Sequence, residues 1–279
     1  IKVLPVSPQK EAAMYSYCGI NNPSCVCYMI SCLQQFFMIP EFRQGIFNVG
    51  FESDVDVQML LNSDDVVHQL QLLFLFLQES DKSAIDLTRF CYSFKGYDGE
   101  STDLLVQQDA SEFITNFFQQ LEYKLMGSAQ ENLVKDNFGG GFINQLRAST
   151  VEVNSTSNEE LKFTSDRPEP FFCISVSVST QNQSAKERQG SNLHRALEDF
   201  IAPETVDYTW EKEEKTSEGI SASPPNVKKY CIPTSKRTVI KSLPKNLLFH
   251  LKRFEFNFET MQHVKVNERF EFPLVLDMF

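Results

Sequence analysis

The sequence has no apolar run of the roughly 18 residues that a membrane span requires, and Ile1–Pro5 does not resemble the start of a signal peptide. Basic residues are in deficit, with 26 Lys and Arg against 37 Asp and Glu and a formal net charge of −11. This charge disfavours nucleic acid and anionic membranes as partners and favours a basic protein. We therefore expect a chain that binds neither nucleic acid nor membrane.

Glycine is also scarce, with 11 residues, whereas 42% of the chain is hydrophobic and 25 residues are Phe. This composition excludes fibrous and disordered chains. A chain of 279 residues can bury a substantial core, either as one large domain or as one domain with lobes.

The seven cysteines lack the spacing of a disulfide framework, and their number is odd. Four of them crowd between Cys18 and Cys32. Reduced thiols, as in the cytoplasm or the nucleus, fit this pattern best.

Helical periodicity dominates the first half of the chain and strand-like alternation the second. A helix is predicted over 28–39, ending before Pro40. The strongest helix signal follows Asp103, where one apolar stripe is formed by Ala110, Phe113, Ile114, Phe117, Phe118, Leu121 and Leu125. After Phe138 the pattern changes, and Ile174, Val176 and Val178 alternate with polar residues. Helices first and strands later predict an α+β fold.

Cys27 lies where a loop gives way to an apolar helix. A thiol at a helix N-terminus is favoured as the nucleophilic thiolate, because unpaired N–H groups and the helix dipole stabilise negative charge. Such a cysteine still needs a base, and the four histidines (His68, His194, His250 and His263) all lie in contexts that look structural. Two alternatives remain for Cys27: a buried structural thiol, and a metal cluster with its neighbouring cysteines, which the C-x-C spacing disfavours.

Three separated motifs resemble those of the ubiquitin-specific proteases, the papain-like thiol hydrolases that remove ubiquitin. Gly19–Ser31 is similar to the family's Gly-Leu-x-Asn-x-Gly-x-Thr-Cys-Tyr-Met-Asn-Ser box, and Gln107–Phe113 to its Gln-Gln-Asp-Ala-x-Glu-Phe helix. Phe249–Phe254 resembles its Leu-x-Leu-Lys-Arg-Phe strand, and Phe270–Pro273 follows at the expected interval. The order of these motifs over about 260 residues makes the match specific, and the loop lengths resemble those of the large multidomain members.

The resemblance implies a hand-like architecture of thumb, palm and fingers that is incomplete at the C-terminus of this chain. We expect an N-terminal arm or linker over 1–14 and the protease-like domain over 15–279. Within that domain, 15–135 corresponds to the helical thumb and 136–279 to the strand-rich fingers and part of the palm. The implied partner is ubiquitin or a ubiquitinated protein, and the implied reaction is hydrolysis of the bond after the ubiquitin C-terminus.

The resemblance also assigns roles to individual positions. Cys27 corresponds to the nucleophile and Asn22 to an oxyanion-hole donor, whereas Gln108, Asp109 and Glu112 correspond to substrate-binding residues. The family's carboxylates face the arginine-bearing tail of ubiquitin, a task that suits a carboxylate pair. From the residues alone, Asn22 could instead cap a helix or shape a turn, and the carboxylates could be a solvated face or a complement to the helix dipole.

Several positions depart from the family pattern. Ser24, Val26 and Ile30 replace the usual glycine, threonine and asparagine of the nucleophile box, and the family's histidine box, expected after 272–278, is not found. Without that histidine no base generates the thiolate, so we expect this chain alone to be inactive. Either the remaining lobe belongs to a longer protein, or the chain is an inactive scaffold or ubiquitin-binding module. A structural domain whose acidic helix face binds another basic protein is the third alternative.

Most members hold their fingers with two Cys-x-x-Cys pairs around zinc. Here Arg147–Thr164 contains no cysteine, and only Cys231 lies near the second position. Because a structural zinc site needs four ligands in a tetrahedral array, we expect no metal, and we expect no other cofactor.

Overall fold

The computed structural model describes residues 18–50, 61–149, 152–153, 160–161, 163–178, 192–213, 227–257 and 260–278. The predicted arm over 1–14 lies outside these ranges. The chain divides into two compact units, a helical unit up to Phe138 and a strand-rich unit from Gly139. No helix among the described residues is long and apolar enough to cross a membrane.

The helical unit contains two short strands that pair in parallel, β1 (Gly19–Asn21) and β2 (Ala84–Asp86). Its described helices are α1 (Cys27–Phe37), α2 (Pro40–Phe47), α3 (Val66–Glu79), α4 (Thr88–Ser93), α5 (Ala110–Leu125) and α6 (Leu133–Phe138). The predicted helix over 28–39 is therefore α1, and it ends two residues earlier because Met38 caps it. Pro40 does not only end this helix; it begins the next one, where its fixed φ is favourable and no N–H is needed.

Phenylalanine side chains form the core of the helical unit. Phe36 of α1 lies at the centre, with its ring centroid 5.4–5.8 Å from those of its neighbours, Phe42, Phe117, Phe118 and Phe138. Most of the predicted α5 stripe is confirmed, since Phe113, Phe117, Phe118, Leu121 and Leu125 are buried. Ile114 is only half-buried, and Ala110, at the exposed first position of the helix, was wrongly included. Each buried Phe contributes about 1.5–3 kcal/mol relative to an exposed one, so this cluster fixes how α1 and α5 pack.

The start of α3 is tied to the far end of α5. Asp65 caps α3 by accepting hydrogen bonds from the N–H groups of Val67 (2.8 Å) and His68 (3.3 Å). The same carboxylate accepts from Lys124 Nζ at 2.7 Å. Burial alone would raise the pKa of Asp65, but the hydrogen bonds from Lys124, His68 and Val67 bring this pKa below its ordinary value.

The strand-rich unit is built on a four-stranded antiparallel sheet of order β6-β3-β9-β8. Its strands are β3 (Gly140–Ala148), β6 (Thr164–Phe171), β8 (Glu204–Glu213) and β9 (Val227–Ser242). The described two-stranded pairings of this unit are three. Strand β7 (Cys173–Ser177) pairs in parallel with β10 (Leu248–Lys252). The antiparallel pairs are β4 (Glu152–Val153) with β5 (Glu160–Leu161), and β11 (Phe254–Asn257) with β12 (Gln262–Lys265). Helix α7 (Leu193–Ile201) completes the described elements.

Two apolar clusters stabilise this unit. The larger includes the predicted alternating residues Ile174, Val176 and Val178, which are all buried, and it is completed by α7. The smaller, which we call the aromatic finger cluster, consists of Leu146, Phe163, Trp210 and Ile232 with Tyr208 and Tyr230 packed against them. In this cluster the indole N–H of Trp210 donates to Thr234 Oγ1 (2.9 Å), so its polar atom is satisfied despite burial.

Candidate functional site

The loop 22–26, which we call the nucleophile loop, connects β1 to α1. Strand β1 approaches the segment before β2 closely: Gly19 N–H donates to Ser83 O at 2.8 Å, and a Cβ at Gly19 would lie 3.3 Å from that same oxygen. Asn22 shapes the loop, because its side-chain Oδ1 accepts from the N–H groups of Ser24 (3.2 Å) and Val26 (3.3 Å). The turn-shaping interpretation of Asn22 is therefore part of what its side chain does here.

Cys27 is the first residue of α1, and its side chain is exposed. The cap position is occupied by Val26, which is fully buried and offers no side-chain acceptor, and the first turn contains no acidic residue. The N–H groups of Met29 and Ile30 donate to Val26 O, whereas those of Cys27 and Tyr28 have no acceptor among the described residues. The start of α1 thus has no capping side chain and no acidic residue of its own beside the sulfur.

A second loop, 103–109, meets the nucleophile loop. Its Leu104 carbonyl accepts from Cys25 N–H at 2.8 Å, and Asp103 Oδ1 accepts from Leu105 N–H at 2.9 Å. This loop brings Gln107 Nε2 to 3.9 Å from Cys27 Sγ. Sequence reasoning singled out Gln108, whereas the contact belongs to its neighbour; the doubled glutamine of the motif was the available signal.

Asp109 occupies the N-cap of α5 and does not lie within the helix. Its Oδ1 accepts from Ser111 N–H (2.7 Å), Ser111 Oγ (2.6 Å) and Glu112 N–H (3.2 Å). Asp109 therefore caps the helix, and Glu112 lies in its first turn. Both side chains, like that of Gln108, are exposed at the start of α5.

The buried Cys91 and the half-buried Cys32 and Cys173 are less exposed than Cys27. Burial raises the pKa of the Cys32 thiol to about 11, that of Cys91 to about 12 and that of Cys173 to about 11. A raised pKa keeps these thiols largely protonated at neutral pH and makes them poor nucleophiles. Cys18 is also buried, and its Sγ donates to Gly19 O at 3.6 Å. Reactive thiol chemistry is thus expected at an exposed position such as Cys27.

The described histidines have structural environments. His68 is the only histidine of the helical unit, and its Nδ1 lies 3.0 Å from Ser63 Oγ. In the strand-rich unit, His250 Nδ1 lies 3.2 Å from Ser175 Oγ, and His194 lies on α7. The side chain of His263 lies outside the described residues. The helical unit therefore brings a donor to Cys27 but no histidine.

A cavity of about 700 Å³ lies in the same unit, between α3, β2 and α4. Its apolar walls include Leu72, Leu73, Phe76 and Ile85. Neither Cys27 nor Gln107 lines it, so we place the candidate chemistry at the open start of α1. Among the described residues, no group of three or more His, Cys, Asp and Glu side chains could hold a metal ion.

The family model described as ubiquitin carboxyl-terminal hydrolase matches residues 18–279. The chain belongs to the ubiquitin carboxyl-terminal hydrolase family. The predicted family and the predicted fold class, a papain-like α+β domain of the deubiquitinase-type thiol hydrolases, are confirmed by this membership.

Individual relatives in the ubiquitin carboxyl-terminal hydrolase family are much longer than this chain. Ubiquitin carboxyl-terminal hydrolase 47 of Drosophila melanogaster is 31% identical over 266 residues, which cover 94% of this chain but 15% of that protein. Ubiquitin carboxyl-terminal hydrolase 34 of Homo sapiens is 28% identical over 262 residues, covering 94% of this chain and 6% of that protein. Ubiquitin carboxyl-terminal hydrolase 7 of Drosophila melanogaster is 27% identical over 256 residues, covering 92% and 19%.

Proposed function

We propose that this domain hydrolyses the peptide or isopeptide bond after the C-terminal glycine of ubiquitin. The thiolate of Cys27 attacks the glycine carbonyl carbon and forms a tetrahedral oxyanion. Collapse of this intermediate breaks the C–N bond, the amine leaves with a proton, and a thioester remains on Cys27. Water then attacks the thioester and releases ubiquitin and the free thiol. The observation that carries this proposal is the exposed sulfur at the uncapped start of α1.

Asn22 is the proposed oxyanion donor. Its Oδ1 is engaged by two backbone N–H groups, which fixes the amide plane and leaves the NH₂ end as the donor. An anchored donor costs no reorganisation when the oxyanion forms, and one such donor is worth roughly 3 kcal/mol in the barrier. The N–H of Cys27, which has no acceptor among the described residues, is a second donor at the same point.

The exposed start of α5 is the proposed binding site for the arginine-bearing tail of ubiquitin. Asp109 and Glu112 supply carboxylates, and Gln108 supplies an adjacent amide. Guanidinium groups are recognised best by carboxylates that accept charge-assisted hydrogen bonds. The net charge of −11 adds a general attraction for a basic tail.

A second candidate is an inactive ubiquitin-binding scaffold that keeps the same surface. One observation favours it: His68, the only histidine of the helical unit, has its Nδ1 next to Ser63, and the described residues of this unit offer Cys27 no imidazole base. The replacements Ser24, Val26 and Ile30 in the nucleophile box point the same way. On this proposal the site still binds ubiquitin but does not acylate.

Ubiquitin with a thiol-reactive group at its C-terminus distinguishes these functions. It is offered to the domain within its full-length natural protein, because the chain alone is expected to lack the catalytic histidine, and to the Cys27→Ala and Cys231→Ala variants of that protein. Cys231→Ala is the matched control at an exposed cysteine in the other unit. Labelling that disappears only in Cys27→Ala supports the hydrolase. Binding without labelling supports the scaffold, and the absence of both binding and labelling contradicts both proposals.

The cellular compartment and the partners of the domain are proposed from its composition and from its relatives. Seven free cysteines fit a reducing compartment, and we propose the cytoplasm, the nucleus or both. The proposed partners are ubiquitin and ubiquitinated proteins, with no nucleic acid and no membrane. Because the relatives are several times longer, we propose that the domain works within a larger multidomain protein or complex.

A further inference from the structure

Gln107 is the only side chain for which the described structure gives a hydrogen bond to the sulfur of Cys27, and the two residues are 80 positions apart in the sequence. Its Nε2 lies 3.9 Å from Sγ, a distance at which an amide N–H donates to the large sulfur atom. An amide N–H bonded to an anion stabilises it about twice as strongly as it would a neutral acceptor. The contact therefore places an N–H donor beside the nucleophilic sulfur.

The position of Gln107 is fixed from both sides. Before it, the Leu104 carbonyl holds the Cys25 N–H at 2.8 Å, so the two loops are joined two residues from the nucleophile. After it, Asp109 is fastened to α5 by three hydrogen bonds to Ser111 and Glu112. Because the backbone is held on both sides of Gln107, the loop loses less backbone entropy when this contact forms than an unanchored loop would.

The amide of Gln107 is important because the residues around Cys27 offer the sulfur few other hydrogen-bond donors. Val26 stands where a helix cap normally places a hydroxyl or a carboxylate, and it is buried, so it contributes no polar group beside the sulfur. The helical unit also supplies no histidine at this point. Gln107 and the backbone N–H groups of α1 are then the charge-stabilising groups that the described structure offers the sulfur.

We propose that Gln107 is a positioning residue for the nucleophile, whose carboxamide N–H orients the Cys27 sulfur and stabilises its thiolate. This role rests on the proposed function of Cys27 as nucleophile, but it is tested without ubiquitin. Removal of the amide is expected to make the thiolate rarer at neutral pH and its position less defined. Replacement by a carboxylate is expected to do more, because a negative charge then faces the sulfur.

The test is alkylation by iodoacetamide between about pH 5.5 and 9.5, a range that brackets ordinary thiol ionisation, read at the Cys27 peptide by mass spectrometry. For Gln107→Ala the neutral-pH rate is expected to fall about three- to tenfold, the loss of one hydrogen bond to a charged group at an exposed site. Its rate profile moves to higher pH, and that of Gln107→Glu moves further. Gln119→Ala, at an exposed glutamine further along α5, is the matched control and keeps the natural profile.

Two other cysteines serve as references within each digest. Cys231 is exposed in the strand-rich unit and should alkylate equally in all variants, whereas buried Cys91 should stay protected if the fold is intact. If Gln107→Ala exposes Cys91, Gln107→Met removes the donor at nearly constant size and is read in its place. An unchanged rate and pH profile at Cys27 in the folded variants overturns the proposal. That outcome would leave ubiquitin labelling, and hence the proposed hydrolase, to be judged separately.

Discussion

The rings of Tyr28 and Phe113 meet edge to face with their centroids 5.8 Å apart. Tyr28 directly follows Cys27 at the start of α1, and Phe113 directly follows Glu112 at the start of α5. Both residues are buried, so this contact holds the exposed sulfur and the exposed carboxylate in a fixed relation. The core thereby positions two groups that themselves lie in solvent.

Tyr28→Phe should stabilise the chain. The Tyr28 hydroxyl is buried without a hydrogen-bond partner among the described residues, and burial raises the pKa of this phenol to about 12. Removal of an unpaired buried hydroxyl recovers its desolvation cost, so we expect a gain of about 1 kcal/mol in the free energy of unfolding, measured with urea. Tyr28→Ala, which also removes the ring, should lose about 3–5 kcal/mol. A loss of stability in Tyr28→Phe would contradict the prediction and indicate a partner for the hydroxyl.

Asp109→Ala should lower both stability and affinity for ubiquitin. The carboxylate caps α5, and loss of such a cap costs about 1 kcal/mol in the free energy of unfolding. Asp109→Asn separates the two effects, because the amide oxygen still caps the helix while the charge is lost. We expect Asp109→Asn to retain the thermal midpoint and to bind ubiquitin more weakly by titration calorimetry. Unchanged binding in Asp109→Asn would limit Asp109 to its capping role.

Asp65 should contribute to stability at neutral pH but not in acid. Its pKa is lowered in the folded chain, so the folded state favours the ionised carboxylate, and this stabilisation is lost as the pH falls below about 4, the ordinary carboxyl range. Asp65→Asn should therefore be less stable than the natural chain at neutral pH, and the difference should shrink in acid. Thermal unfolding at stepped pH measures this difference.

Lys124→Gln provides the paired control for Asp65. Because the two side chains form one ion pair, the double variant should lose less than the sum of the two single losses. Additive losses would mean that the helix cap, and not the ion pair, accounts for the effect.

The aromatic finger cluster should stabilise its sheet without metal. Trp210→Ala removes a buried ring and its hydrogen bond to Thr234 and should cost about 3–5 kcal/mol in the free energy of unfolding. Cys231→Ala changes the only cysteine of β9 and should leave stability unchanged. A chelator should likewise leave the thermal midpoint of the natural chain unchanged. A lower midpoint after chelation, or in Cys231→Ala, would indicate a metal site.

Periodicity was sufficient for the elements whose packing depends on one apolar face. The α5 stripe and the alternation along β7 follow directly from which side chains must be buried. The start of α2 escaped prediction because Pro40 was read as a stop, although proline at the first position of a helix also permits a start. The assignment of 15–135 to a thumb and of 136–279 to fingers and part of a palm stays a prediction.

The site was predictable only where a motif fixed a position along the chain. The motifs singled out Cys27 and Asn22, whose roles stay predictions. They could not show that Asp109 precedes its helix as a cap or that Gln107, and not Gln108, reaches the sulfur. These details depend on the backbone path of 103–109 and on the hydrogen bond that joins it to Cys25, contacts between residues far apart in sequence. No local pattern encodes such contacts.

The buried valine at the start of α1 has a further consequence. A helix that begins without a capping side chain forgoes about 1 kcal/mol that serine or threonine would supply. A carbonyl or anion that binds at the start of α1 supplies the missing acceptor and stabilises the folded chain. Ligand binding at this position and folding are therefore thermodynamically linked. Val26→Thr should therefore raise the melting temperature of the ligand-free domain and reduce the further rise in melting temperature on ubiquitin binding. The reason is that a helix already capped by its own side chain gains less stability from a bound ligand.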